Sequence, residues 1–165
     1  MNKQKIYITS GVSGSGKSTY IKNHNLDSVS TDEIVENYAK ENGFNYTEAF
    51  NKIQSKKLFG AINSIFIDNI IHNIRNGKDF VIDRTSLNQF TRKSLVELIR
   101  TYGDIEIIVI YFNIPKETII QRLKDRESKT GKGIPKNVID KQFENFTKPT
   151  LKEGFDKIIM INETT

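Results

Sequence analysis

The run Gly11-Val12-Ser13-Gly14-Ser15-Gly16-Lys17-Ser18-Thr19 limits this chain to very few folds. It has the G-x-x-x-x-G-K-S spacing of a phosphate-binding loop. An apolar stretch, Lys5-Ile6-Tyr7-Ile8-Thr9-Ser10, precedes it, and Thr19-Tyr20-Ile21-Lys22 after it can start a helix. Strand, loop and helix in that order are the context such a loop requires. The glycines let backbone N–H groups turn inward around phosphate oxygens, and the helix N-terminus adds its partial positive charge. Lys17 is placed to reach the β- and γ-phosphates, and the Ser18 hydroxyl to ligate Mg2+. A glycine-rich turn holding a fortuitous anion would leave the register of Lys17 and Ser18 unexplained. Residues Gly11 to Thr19 are therefore expected to bind a nucleoside triphosphate.

At 165 residues the chain fits one domain, 1–165, around a single core. Its 36% hydrophobic and 27% charged residues suit a globular protein, and no apolar run approaches the roughly 18–20 residues of a membrane span. Met1-Asn2-Lys3-Gln4 leads directly into the first strand, so no signal peptide is expected and a cytoplasmic location is the default. Without cysteine there is no disulfide framework, thiolate zinc site or thiol nucleophile, and two histidines, His24 and His72, make a poor metal set. The net charge of +5 is uneven: residues 116–148 hold nine Lys or Arg against five Asp or Glu. Such a stretch attracts phosphorylated partners, although a merely solvated face is as common.

Strand and helix signals alternate, which predicts a mostly parallel sheet in a three-layer α/β/α domain with ligands at the carboxyl ends of the strands. Ser28-Val29-Ser30 reads as a brief strand, and Ser30 with Glu33 has capping-box spacing for a helix from about Thr31 to Gly43. Asn45 and Glu48 offer another helix start, with Leu58, Ile62, Ile65, Ile70 and Ile74 near helical spacing up to Gly77. Asp79 to Asp83 is the next strand, Leu87 to Tyr102 a helix, and Ile105 to Phe112 a strand apolar enough to be buried on both faces. Pro115 opens a helix to about Ser128. A glycine-rich basic segment, Lys129 to Pro135, follows; then come a helix to about Thr147 and a strand over Lys157 to Ile161.

A phosphate-binding loop alone does not distinguish motors, switches and kinases. Asp32 follows the second strand, where a carboxylate can accept the proton of an attacking hydroxyl; equally, Asp32 and Glu33 can simply favour the positive end of a helix dipole. Asp83 ends the apolar strand Phe80-Val81-Ile82-Asp83 in Walker B form and is read as a second metal-holding residue beside Ser18. Arg122 and Arg126, four residues apart, share a helix face beside the basic loop. They suit a lid, about 116–135, that closes over transferring phosphates, or else exposed pairing with Asp125, Glu127 or Glu117. Tyr38, Phe44 and Tyr46 cluster after Asp32 and read first as core, second as a surface for stacking on a base.

Together these segments resemble the 5′-hydroxyl polynucleotide kinase domain of phage end-healing enzymes, within the small kinases folded like adenylate kinase. The resemblance covers nearly the whole chain: Gly11–Thr19, Ser30-Thr31-Asp32-Glu33, Asp83-Arg84-Thr85-Ser86-Leu87-Asn88 with Arg92 beyond, and Arg122-x-x-x-Arg126 before Pro135. It implies that Asp32 is the general base, that Arg126 contacts the transferred phosphate, and that Lys17 and Ser18-bound Mg2+ steady the γ-phosphoryl group of ATP. The acceptor it implies is the 5′-hydroxyl of DNA or RNA. Two departures concern that acceptor: Val35 stands where the family has a substrate-gripping arginine, and Arg84 where it has an acid. A small-molecule kinase for a nucleoside, nucleotide or other metabolite remains an alternative, as does a non-kinase nucleotide-binding regulatory or nucleic-acid-binding module. No D-x-D-x-T phosphatase motif is present.

Overall fold

The computed structural model describes residues 2–131 and 133–162. Five strands, β1 (Lys5–Ser10), β2 (Ser28–Ser30), β3 (Phe80–Asp83), β4 (Glu106–Asn113) and β5 (Lys157–Asn162), form one parallel sheet in the order β2-β3-β1-β4-β5. Each strand after β1 follows a crossover, and the described residues supply seven helices: α1 (Lys17–Asn23), α2 (Thr31–Asn42), α3 (Tyr46–Ser55), α4 (Phe59–Arg75), α5 (Gln89–Arg100), α6 (Lys116–Thr130) and α7 (Lys136–Asn145). None of them is long and apolar enough to cross a membrane.

The apolar alternation within strands explains the layers. Ile6 and Ile8 of β1 and Ile107 and Val109 of β4 enter one core with Phe80, Ile82, and residues of α2, α3, α4 and α5. Their strand neighbours, Tyr7, Ile110 and Phe112, face a second, smaller core with Ile119 and Leu123 of α6 and Ile139 of α7. Successive side chains point to opposite faces of a strand, so one apolar run serves both layers. β4 is buried along nearly all its length, as its continuous apolar run predicts.

Caps follow the sequence where the expected residues are present. The Ser30 side chain accepts from Glu33 N at 3.1 Å, and Asn45 accepts from Glu48 N at 2.8 Å. Leu58 to Ile74 does not continue the helix begun at Asn45. The chain breaks between α3 and α4, with Lys57 at φ 56°. A lysine in that region carries no sequence signal, because glycine or asparagine is the residue it favours. α6 runs two residues beyond its expected end, to Thr130, where Gly131 takes the left-handed cap. Lys132, within the segment read as a lid, lies outside the described residues.

Register places the site. Ser30 pairs with Asp83 and Ile8 with Ile82, so β2, β3 and β1 end at one edge of the sheet. The exit of β1 is tied to the loop after β3: Thr9 Oγ1 donates to Arg84 O at 2.7 Å, Ser10 Oγ to Ser86 O at 2.9 Å, and Gly11 N to Thr85 O at 2.9 Å. Beneath that junction Arg92 is completely buried and bidentate to Glu153, Nε to Oε1 at 2.6 Å and Nη2 to Oε2 at 3.0 Å. Its Nη1 also donates to Ser86 O and Leu87 O, each at 3.0 Å. Glu153 Oε2 accepts from Thr150 N at 3.0 Å, in a capping box that starts the short 3₁₀ turn Leu151–Glu153.

Candidate active site

The phosphate-binding loop wraps the space between β1 and α1, and its shape depends on its glycines. Gly14 and Gly16 have φ 81° and 99°, conformations open to glycine. A Cβ on Gly11 would stand 2.7 Å from Ser15 Oγ and 2.9 Å from Phe112 Cβ, so β4 leaves no room there for a side chain. Ser15 Oγ is buried with no hydrogen-bond partner. An unsatisfied buried hydroxyl is costly, and one inside a concave loop of backbone donors suits a site that receives phosphate oxygens.

Lys17 is folded into the loop, its Nζ donating to Val12 O at 2.8 Å and Gly11 O at 3.0 Å. Burial lowers its pKa to about 8, while the negative charges of Asp83 and Asp32 act in the opposite direction and Arg126 reinforces the fall. Lys17, Asp83, Asp32 and Arg126, far apart in sequence, thus meet within one electrostatic neighbourhood. Asp83 is half-buried and its carboxyl is held above its ordinary range, chiefly by burial, with Lys17 opposing and Asp32 adding to the shift. Ser18 is exposed at the mouth. Among the described residues no three acidic or histidine side chains gather as a metal cage. Ser18 and Asp83 carry oxygens of the kind Mg2+ takes beside nucleotide phosphates, where one or two protein oxygens suffice and phosphate and water fill the other positions.

Asp32 stands exposed on the first turn of α2. Its Oδ1 accepts a hydrogen bond from the Tyr46 hydroxyl of α3 at 2.8 Å. Burial, that bond, and the charges of Asp32 and Glu36 push the Tyr46 hydroxyl well above its ordinary range, so Tyr46 donates and fixes the carboxylate's orientation. The sequence puts Tyr46 with Tyr38 and Phe44 as core residues first and a stacking surface second. All three pack against the larger core, and Tyr46 in addition holds Asp32. No pattern in the sequence marks that bond, since it joins residues of two helices.

Val35, where the resemblance expects an arginine, is 4% exposed and part of the core. Arg84 lies half-buried after β3, its guanidinium carbon 5.0 Å over the Phe66 ring of α4. Burial lowers its pKa. No described carboxylate forms an ion pair with it.

The lid arginines take unequal places. Arg122 Nη1 lies 3.5 Å from Gly14 O, and Ile119 and Leu123 of the same helix crowd Gly14, so the first half of α6 rests on the loop. Arg126 is exposed one turn further on. Neither forms an ion pair with Asp125, Glu127 or Glu117 among the described residues. Gln142 of α7 escaped the sequence reading altogether: its Oε1 accepts from Ser13 N at 2.8 Å and its Nε2 donates to Ser13 Oγ at 3.1 Å. His24 stacks on Tyr20 and His72 bonds Asn76, both outside this cluster.

A family model described as an AAA domain matches residues 6–149. Among solved structures, a putative kinase from Chloroflexus aurantiacus superposes with a TM-score of 0.71 at 13% identity, over 98% of this chain and 86% of its own. A chain of the Pnkp1/Rnl/Hen1 RNA repair complex gives a TM-score of 0.67 at 24% identity, over 88% of this chain and 44% of that one. A gluconokinase from Sinorhizobium meliloti gives 0.57 at 16%, over 98% and 84%. At such identities the likeness is one of fold, and that fold is the α/β architecture of P-loop kinases.

Proposed function

The chain belongs to the AAA-domain family whose model spans residues 6–149, and from that premise we propose that it is an ATP-dependent kinase transferring the γ-phosphoryl group to a hydroxyl, specifically the 5′-hydroxyl of DNA or RNA. The observation that carries this reading is the meeting of Asp32 with Lys17 and Asp83 at the carboxyl edge of the sheet, with Asp32 oriented by Tyr46. A motor or switch would turn such a carboxylate on water; here it stands exposed on the first turn of α2, held by Tyr46 and open to an acceptor. A kinase needs such a carboxylate, to take the proton of the attacking hydroxyl.

In this mechanism ATP with Mg2+ supplies the transferable phosphoryl group and shields its charge. The loop from Gly11 to Thr19 cradles the phosphates through its backbone N–H groups, and Lys17 leaves its carbonyl partners for phosphate oxygens. Ser18 and Asp83 are the protein residues that would hold the ion. Asp32 takes the proton from the acceptor hydroxyl as its oxygen bonds to the γ-phosphorus and the bond to the departing ADP breaks. Arg126, with Arg122, neutralises charge that develops on the transferring group. Arg84, without an ion pair among the described residues, offers a guanidinium for a phosphate beside the acceptor hydroxyl, in place of position 35. The likeness to a chain of an RNA repair complex supports a nucleic-acid acceptor. The likeness to a gluconokinase supports the rival reading, a small-molecule acceptor.

Labelled ATP and Mg2+ with two oligonucleotides that differ only at the 5′ end test the reading. A 5′-hydroxyl strand should take label and release it as a nucleoside 5′-phosphate on digestion, whereas a 5′-phosphate strand should stay blank. Equal labelling of both strands, or of neither, would contradict it.

A further inference from the structure

An aromatic row starts at Asp32 and leaves the site over α3 and the turn to α4. Tyr46, bonded to Asp32, stacks on Phe50 with ring centroids 6.4 Å apart and planes inclined by 22°. Phe50 in turn meets Phe59 edge-on at 5.4 Å. Phe50 and Phe59 are 39% and 42% exposed. They are not spill-over from a crowded interior, because the same helices already bury Ala49, Ile53, Ile62 and Phe66.

The exposed charges near Phe50 and Phe59 are mostly positive, whereas Asp32 and Glu36 lie at the Tyr46 end. Lys52, Lys56 and Lys57 are all exposed, and no described ion pair engages them. Glu48, the one acid between residues 46 and 60, accepts a hydrogen bond from its own helix cap, Asn45 Nδ2, at 2.7 Å. The tip of the turn, where Lys57 takes its left-handed conformation, holds two of these lysines next to Phe59. A small alcohol bound at Asp32 would leave the rings and lysines without a role. A nucleic-acid strand would use both: bases stack on aromatic faces whatever their identity, and phosphates attract unpaired ammonium groups.

We propose that Tyr46, Phe50 and Phe59, flanked by Lys52, Lys56 and Lys57, form a stacking platform for the unpaired bases of a single-stranded acceptor whose 5′-hydroxyl lies at Asp32. The platform rests on the reading of the chain as a 5′-hydroxyl kinase. It adds the class of acceptor, a strand with several unpaired nucleotides at its 5′ end, and the path that strand takes away from the site.

Two readouts keep the platform and the kinase reading separable. The first is fluorescence anisotropy with a labelled single strand of about ten nucleotides, within the usual span of such sites. Phe50→Leu and Phe59→Leu keep apolar bulk but remove the aromatic face, and each should weaken binding roughly fivefold or more, whereas Phe50→Tyr and Phe59→Tyr should bind like the parent. Lys56→Ala with Lys57→Ala should flatten the dependence of binding on salt. Leucine variants that bind as tightly as the parent, or a parent that binds no single strand, would overturn the platform.

The second readout is the kcat/KM ratio of a long to a dinucleotide acceptor, which should fall in the leucine variants. A ratio indifferent to them would overturn the platform and leave the kinase reading standing. Ring-dependent strand binding without any transfer would do the reverse.

Discussion

Asp32→Asn lowers kcat for phosphoryl transfer by about 100- to 10,000-fold, the range a positioned general base contributes, while the KM for ATP changes little. The amide is nearly isosteric and its oxygen can still accept from Tyr46, so the hydrogen bond at 2.8 Å and the start of α2 are preserved. What is lost is an oxygen able to take the acceptor's proton. Steady-state kinetics with saturating acceptor read the effect directly. The rival account of this residue, that it only favours the positive end of the helix, predicts a small stability change and a kcat within about threefold of the parent. Ser30 already caps α2 through Glu33 N, so the helix does not need Asp32 for its start.

Glu153→Ala should destabilise the protein by about 3–5 kcal/mol, the usual consequence of leaving a buried charge without its partner. Arg92 and Glu153 have side-chain exposures of 0% and 1%, so solvent can compensate neither. Such a loss is a large share of the roughly 5–15 kcal/mol that holds a domain folded. Urea unfolding of parent and variant measures it. Replacing both residues together by apolar side chains should recover part of the loss, because the desolvation of the pair disappears along with its attraction. A single variant within about 1 kcal/mol of the parent would show that the pair is not structural. The consequence extends to function: Arg92 holds Ser86 O and Leu87 O, and Ser10 Oγ bonds the same Ser86 carbonyl at the entry to the phosphate-binding loop. Glu153→Ala should therefore also raise the KM for ATP at temperatures where the variant stays folded.

The donor half of the site was legible because its chemistry is local. Nine consecutive residues form the loop, the strand before it is apolar, and the caps at Ser30 and Asn45 lie three residues from their partners. β4 announces itself as a run long enough to be buried on both faces. Long-range contacts left no such mark. Gln142 reaches Ser13 across 129 residues, and Arg92 reaches Glu153 across 61. Each residue alone is an ordinary polar side chain on a helix or turn. The break at Lys57 was hidden for another reason: the apolar spacing carries on past it, and the residue at positive φ is neither glycine nor asparagine. Asp32 was visible as a candidate, but its orientation by Tyr46 emerges only when α2 and α3 pack side by side.

Acceptor choice is the point at which the rival readings part most sharply. One reaction mixture with labelled ATP, Mg2+, a 5′-hydroxyl single strand, a nucleoside and gluconate, run with the parent and with Asp32→Asn, tests it most directly. The account predicts label on the strand, little on either small molecule, and loss of strand label in the variant. Label on the nucleoside or gluconate with a blank strand, or full strand labelling by Asp32→Asn, would contradict it.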